Sequence, residues 1–245
     1  MATIAVYSMK GGVGKTTLAV NLAWAAASLS KRRTLLWDLD GQAAASFILA
    51  HDRKKGDEAR AVIEKDIAPD KLIVKTRVPL LDLLPADASL HSLESLFSEI
   101  DRKKRVLRLT EQLQRHYDHI VLDCPPGLGS TSEQVIRGAE LILLLMIPST
   151  LSRRAFIDVR DHLARNHKGG PPIFPLYNLV DRRRLAHRAA LEAEPAYPAI
   201  PMASAVEQCA VRRQPVGVFA PGSTAARGFR QLWLAVERAV TKQKG

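Results

Sequence analysis

The chain is poor in cysteine: Cys124 and Cys209 are the only two in 245 residues. They allow at most one bridge and match no zinc-ligand spacing, which excludes a secreted disulfide scaffold and leads us to expect a reducing cytoplasm. Long apolar runs are also missing. The longest, Leu141 to Ile147, is too short to cross a bilayer. The opening residues, Met1 to Tyr7, lack a basic segment and run into a glycine-rich loop, so no signal peptide is expected. Acidic residues are in deficit: 36 Lys and Arg against 25 Asp and Glu leave a formal charge of +11, which suits polyanionic partners or a merely well-solvated surface. No internal repeat, low-complexity linker or break in composition appears, and we expect one domain over residues 1–245.

What is present is an alternation of apolar strands and helical patterns. Strands are expected at Thr3–Ser8, Thr34–Asp38, Leu80–Leu84, His119–Asp123, Leu141–Ile147 and Ile173–Tyr177. Helices are expected at Thr17–Leu29, Leu90–Ile100, Val106–Tyr117, Leu151–Asn166 and Ala225–Val240. Gly41 to Asp70 shows no periodicity and reads as a charged surface loop. Several strands are apolar throughout, so the fold class is α/β, a mainly parallel sheet covered by helices on both faces.

Between the first strand and helix lies Lys10-Gly-Gly-Val-Gly-Lys-Thr-Thr17, the context a phosphate-binding loop requires. At ordinary glycine usage, three glycines at fixed spacing arise by chance at about three in ten thousand positions. Gly11, Gly12, Val13 and Gly14 let backbone N–H groups close around phosphate oxygens, and the helix N-terminus with Thr16 and Thr17 adds a positive dipole end. Lys15 can reach the β- and γ-phosphates, and the Thr16 hydroxyl can ligate Mg²⁺. Asp38 and Asp40 leave the second strand two residues apart, where carboxylates can orient water or support the metal. Asp123 ends another strand and suits Mg²⁺ held through water. Cys124, beside that carboxylate, gains no thiolate character and reads as packing.

The glycine loop departs from the strict G-x-x-x-x-G-K-[ST] pattern, with Met9 in place of the first glycine and a lysine at position 10. This K-G-G-x-G-K-T-T form resembles the deviant Walker A box of the ParA/MinD superfamily, P-loop ATPases of the SIMIBI type. Leu35-Leu-Trp-Asp-Leu-Asp-Gly-Gln42 resembles that family's L-L-x-D-x-D-P-Q box, with Gly41 replacing proline. Tyr117 to Gly129 looks like its Walker B strand and switch II. The resemblance implies that Lys10 reaches the partner's ATP in a nucleotide-sandwich dimer, that Asp40 positions the attacking water, and that Asp38 supports it. It places Asn178 near the adenine, with Pro201 in the following looser match, where Glu207-Gln-Cys-Ala210 stands for the usual S-E-A-P. It also implies slow ATP hydrolysis with Mg²⁺, stimulated by a ParB-like or cargo-adaptor protein.

Chromosome-binding members hold DNA phosphates without reading sequence, using C-terminal arginines. The candidates are Arg182, Arg183, Arg184, Arg212 and Arg213; Ala205 occupies the place of another family arginine. The function expected is a small partition ATPase, cytoplasmic and nucleoid-associated, that segregates a plasmid, chromosome or protein cargo. No DNA-binding extension precedes the glycine loop, so sequence-specific operator binding is not expected. Two alternatives are a MinD-like membrane-surface ATPase and an ATP-dependent synthetase. Lys10 argues against the synthetase. The last helix, carrying Phe229, Leu232, Trp233 and Val236 at helical spacing, reads as packed on the sheet rather than as a membrane anchor. An iron–sulfur role is not expected with only two cysteines.

Overall fold

The computed structural model describes every residue except 52–58, 65–66, 100–103, 128, 168 and 243–245. Eight strands form one sheet: β1 (Ala2–Tyr7), β2 (Thr34–Asp38), β3 (Val74–Lys75), β4 (Leu81–Leu84), β5 (His119–Asp123), β6 (Leu141–Met146), β7 (Ile173–Val180) and β8 (Ala199–Pro201). Their order is β3-β4-β2-β5-β1-β6-β7-β8. Only β3 runs antiparallel to its neighbour. The helices are α1 (Lys15–Ser30), α2 (Ala44–Leu49), α3 (Ala59–Glu64), α4 (Leu93–Glu99), α5 (Arg105–Leu113), α6 (Ser130–Gly138), α7 (Thr150–Asn166), α8 (Leu185–Ala193), α9 (Ser204–Arg212), α10 (Val216–Phe219) and α11 (Thr224–Lys242).

The strand period of two distributes the core. Ile4 and Val6 of β1, with Leu141, Leu143 and Leu145 of β6, face a layer built on α1 and α11. Ala5, Tyr7, Ile142 and Leu144 face the opposite layer, with residues of α5, α6 and α7. Apolar residues are thus needed on both faces of each central strand, which is why these strands read as continuous apolar runs. Helix α1 is buried almost all round, and its alanines let neighbours come close. At Gly217 an added Cβ would lie 2.0 Å from the Trp24 ring, so no larger residue fits there. Inside this layer Asn21 of α1 bridges to two further helices: its Nδ2 donates to the Thr17 carbonyl and to Cys209 Sγ of α9, and its Oδ1 accepts from the Val216 N–H of α10 at 2.7 Å.

Every expected strand and helix is present with ends shifted by a few residues, apart from the portions at Ile100 and beyond Leu113. Ile100 lies outside the described residues, and α5 closes at Leu113 because the chain turns there and brings the Tyr117 hydroxyl to Asp82 at 2.8 Å. The charged-loop reading of Gly41 to Asp70 is corrected: α2 and α3 both lie within it. Each is six residues long, too short to display a helical period, and residues 52–58 between them lie outside the described residues. Helices α6, α8, α9 and α10 and the two short edge strands β3 and β8 stand beyond the expected elements.

The last helix packs as expected. Phe229, Leu232, Trp233 and Val236 are buried against α1. The Trp233 indole N–H donates to Ser30 Oγ at 2.7 Å, and that hydroxyl donates to Glu237 at 2.6 Å. Among the described residues, no helix is long and apolar enough to cross a membrane. Because Trp233 is fully buried, Trp233→Ala is expected to cost about 3–5 kcal/mol of stability, measured as a lowered urea midpoint at unchanged m-value.

Candidate functional site

The site is assembled where three neighbouring parallel strands end. In the sheet register Asp38 of β2 pairs with Asp123 of β5, and Asp123 pairs with Val6 of β1. Strand pairing therefore sets both carboxyl groups beside the glycine loop, at the carboxyl edge where open α/β sheets bind ligands.

Gly12 and Gly14 adopt φ of 72° and 83°, left-handed values that glycine takes without penalty. Gly14 caps α1 with no side-chain hydrogen bond, and the first turn carries no acidic residue, so the helix N-terminal N–H groups are left for an anion. An added Cβ at Gly11 or Gly12 would meet nothing within 4 Å, so the loop's outer side is open. Lys15 is buried at the first turn of α1, whereas Lys10 is half-buried at the loop's start.

Asn178 sets the loop from behind. Its Nδ2 donates to the Val13 carbonyl at 2.8 Å. It lies in an irregular stretch where the β7–β8 register shifts and Leu179 takes φ 55°, and such bulges re-aim side chains. The residue expected beside the adenine is thus 4% exposed and spends its amide on the phosphate loop. Gly14 accommodates it: a Cβ there would lie 2.7 Å from Asn178 Nδ2. Pro201 ends β8 and borders an open groove with Arg182, Thr224 and Arg227.

The three carboxyl groups differ in their surroundings. Asp38 is fully buried and saturated, accepting the Asp40 N–H on Oδ1 and both the Ser46 N–H and hydroxyl on Oδ2, at 2.8 and 2.7 Å. Ser46 Oγ in turn accepts the Ala86 N–H. Burial dominates these bonds and pushes Asp38 up to about 6. Asp40 is half-buried and accepts the Gln42 N–H, which leaves it acceptor capacity toward the loop. Gly41, where the resembling box has proline, has a reason: a Cβ would lie 2.9 Å from the His91 backbone.

Asp123 is the unusual group. It is fully buried, and neither carboxylate oxygen has a hydrogen-bond partner among the described residues. Burial first, then Asp38, holds it well above the ordinary carboxylate range, and the nearby Thr16 hydroxyl and Lys15 ammonium offset this only partly. Orphaned buried oxygens beside two further carboxyl groups and a threonine hydroxyl fit a hard divalent cation such as Mg²⁺. Cys124 is buried with its pKa raised by burial and by Asp123, as expected of a packing thiol.

Beyond Asp123 the chain is pinned from two sides. The Gly127 carbonyl accepts the Tyr7 and Ser132 hydroxyls. The Glu94 carboxylate accepts the N–H groups of Ser130 and Thr131 at the start of α6, a capping role that no sequence signal announces. Leu128, within the expected switch segment, lies outside the described residues.

The arginines occupy two places. Arg182, Arg183 and Arg184 follow β7. Arg183 is 88% exposed at its side chain and forks onto Asp181 at 2.9 and 3.1 Å, a contact that holds Asp181 at about 2. Arg212 and Arg213 end α9. Arg212 bonds Gln208 and lies over the Phe219 ring. Arg213 donates to the Phe47 and Ala50 carbonyls at the end of α2 and stacks on Phe47, a helix-capping role unforeseen in the sequence.

Residues 1–164 match a family model described as an AAA domain. The chain is 36% identical over 143 residues to the sporulation initiation inhibitor protein Soj of Bacillus subtilis, across 58% of this chain and 56% of Soj. It is 35% identical over 144 residues to the chromosome partitioning protein ParA of Myxococcus xanthus, across 58% and 50%. The chain matches only about half to three fifths of the length of these curated relatives. Its fold is similar to that of the septum site-determining protein MinD from Pyrococcus horikoshii, solved with Mg-ADP, at a TM-score of 0.81, 23% identity and coverage of 97% and 96%. A Mycobacterium smegmatis cobyrinic acid a,c-diamide synthase, solved with an ATP analogue and magnesium, is similar at 0.81, 25%, 97% and 94%. The chain belongs to the ParA/MinD-type family of P-loop ATPases.

Both raised carboxyl groups take up protons in the folded chain that the unfolded chain has already released. Stability of the nucleotide-free protein therefore falls as pH rises from 3.8 toward about 6 through Asp38, and further as Asp123 ionises. Asp123→Asn is expected to raise the melting temperature at neutral pH, by about 2–4 °C for each kcal/mol relieved, and to abolish the extra stabilisation that Mg²⁺ gives with nucleotide. Differential scanning calorimetry with and without Mg²⁺ and ATP measures both effects.

Proposed function

Proceeding from this family membership, we propose that the chain is a partition or positioning ATPase. In this reading it closes into a dimer around two ATP molecules, binds DNA without sequence preference in that state, and is released when a ParB-like or cargo-adaptor protein stimulates hydrolysis. The observation that carries the reading is the juxtaposition of an open glycine loop, bearing Lys10 and Lys15, with the buried carboxylate of Asp123, unsatisfied among the described residues.

The residues divide the work. Backbone N–H groups of residues 11–16 bind the phosphates, and Lys15 neutralises their charge. Thr16 and Asp123 hold Mg²⁺, which when bound supplies charge stabilisation to the transferring phosphoryl group. Asp40, with acceptor capacity to spare, orients the attacking water. Asp38, saturated by Ser46 and the Asp40 N–H, fixes the loop that carries Asp40. Lys10 reaches across the dimer. Asn178 braces the loop, and Pro201 lies on the adenine side.

Arg183, with Arg182 and Arg184, forms the DNA face, and Arg212 adds to it. Arg213 contributes less, being held by α2. The cargo is a plasmid, a chromosome or a protein assembly, and the working place is the cytoplasm at the nucleoid. The membrane-surface alternative gains nothing from α11, whose apolar face is covered by α1.

Two comparisons test this reading. Lys15→Ala is expected to lose ATP binding, whereas Lys10→Ala keeps monomer binding but loses the ATP-dependent dimer. Sedimentation with ATP measures the second effect, and an unchanged dimer in Lys10→Ala overturns the proposed role. For DNA, Arg183→Glu is expected to abolish binding while sparing the dimer. Asp181→Asn, which frees the Arg183 guanidinium, is expected to tighten it severalfold. Affinity across a salt series, in ATP and in ADP, should show steep salt dependence in ATP alone.

A further inference from the structure

A second polar cluster lies away from the phosphate loop, where α6 meets the end of α7. Glu133 sits in the first turn of α6, His162 in the last turns of α7, and His167 one residue beyond α7. His162 Nε2 is 2.7 Å from Glu133 Oε1, and His167 Nε2 is 2.6 Å from Glu133 Oε2. The ligand atoms of all three residues fall within 4.8 Å of one another.

His167 sets this cluster apart from an ordinary surface ion pair. Its side chain is 5% exposed, and its Nε2 is buried without a hydrogen-bond partner of proper alignment, although the Glu133 carboxylate is close. A buried nitrogen directed at a shared carboxylate, with a second imidazole on the other carboxylate oxygen, is a set of three donors that a cation can draw together. We propose that Glu133, His162 and His167 form a binding site for one Zn²⁺ ion.

The donor set suits zinc. Two imidazoles and one carboxylate are a three-ligand zinc combination that keeps a fourth position for water. Around a tetrahedral ion the ligand atoms stand about 3.3 Å apart, so the two short histidine–carboxylate spacings must open by about 0.6 Å within a set whose ligand atoms lie within 4.8 Å of one another. His167, with Asn166 and Arg137, also borders a groove of about 580 Å³.

An outer partner is in place as well. Asn166 Nδ2 lies 3.0 Å from His162 Nδ1. Metal binding at Nε2 puts the imidazole proton on Nδ1, and an Asn166 amide turned by half a rotation accepts it through its oxygen, fixing the ring. Arg137 stands 3.8 Å from Glu133 Oε2. The ion would join the start of α6 to the end of α7, and so clamp the helix that follows the Asp123–Gly127 segment.

The test is metal titration of the untagged 245-residue chain with Zn²⁺ alone, without nucleotide, followed by calorimetry and by metal analysis after dialysis. One Zn²⁺ per chain at micromolar metal is expected, with a raised melting temperature. His162→Ala and His167→Ala are each expected to weaken binding by at least about tenfold. Glu133→Gln, His162→Gln and His167→Gln preserve side-chain volume and decide the matter should an alanine variant fail to fold. Co²⁺ substitution of the wild type should give the intense visible bands of a tetrahedral ion. No Zn²⁺ bound by the wild type, or binding unchanged in the folded His162 and His167 variants, overturns the site.

Discussion

Burying a carboxylate that is left unsatisfied among the described residues is the constraint on which the rest of the structure turns. Asp123 sits on the central strand β5, where neighbours on both sides and helices above and below exclude water. Asp38 is its register partner on β2. Two such groups side by side are tolerated at the cost of raised pKa values, and every surrounding element limits the damage. Ser46 and the Asp40 N–H saturate Asp38, the Lys15 ammonium and the α1 N-terminus face the cluster, and Asp123 alone is left for a cation. Stability is given up where binding is required, a common arrangement at functional sites.

That constraint explains how the scaffold is divided. The central strands and α1 are closely packed, with apolar strands buried on both faces and an alanine-rich helix covered almost all round. The loops at the carboxyl edge are held instead by one or two polar contacts each: Asn178 on Val13, Tyr7 and Ser132 on Gly127, Glu94 on the start of α6. Contacts of this kind, each worth about 0.5–1.5 kcal/mol, can be exchanged for ligand contacts without disturbing the core.

Much of this was legible in the sequence, for physical reasons that differ by element. The central strands announced themselves because burial on both faces demands continuous apolar runs. The phosphate loop did so because closing backbone around an oxyanion needs glycine at particular places, and the Asp38–Asp40 pair and Asp123 followed from strand ends. The short helices α2 and α3 did not, since six residues cannot display a period among charged neighbours. Asn178 was visible as a special residue, but the contact it makes depends on the irregularity at Leu179, and no propensity encodes a register shift. Arg213 was read from charge, whereas its partners are carbonyl groups 163 and 166 residues away, brought near only by the fold.

Helix α2 has a consequence of its own. At its start Ser46 is held by Asp38, and at its end the Phe47 and Ala50 carbonyls are held by Arg213. One turn and a half of backbone therefore connects the carboxylate that steadies Asp40 to a surface guanidinium. An anion that draws Arg213 outward uncaps α2 at its far end and loosens the anchorage at its near end, so surface charge and the water-orienting loop share a single short lever.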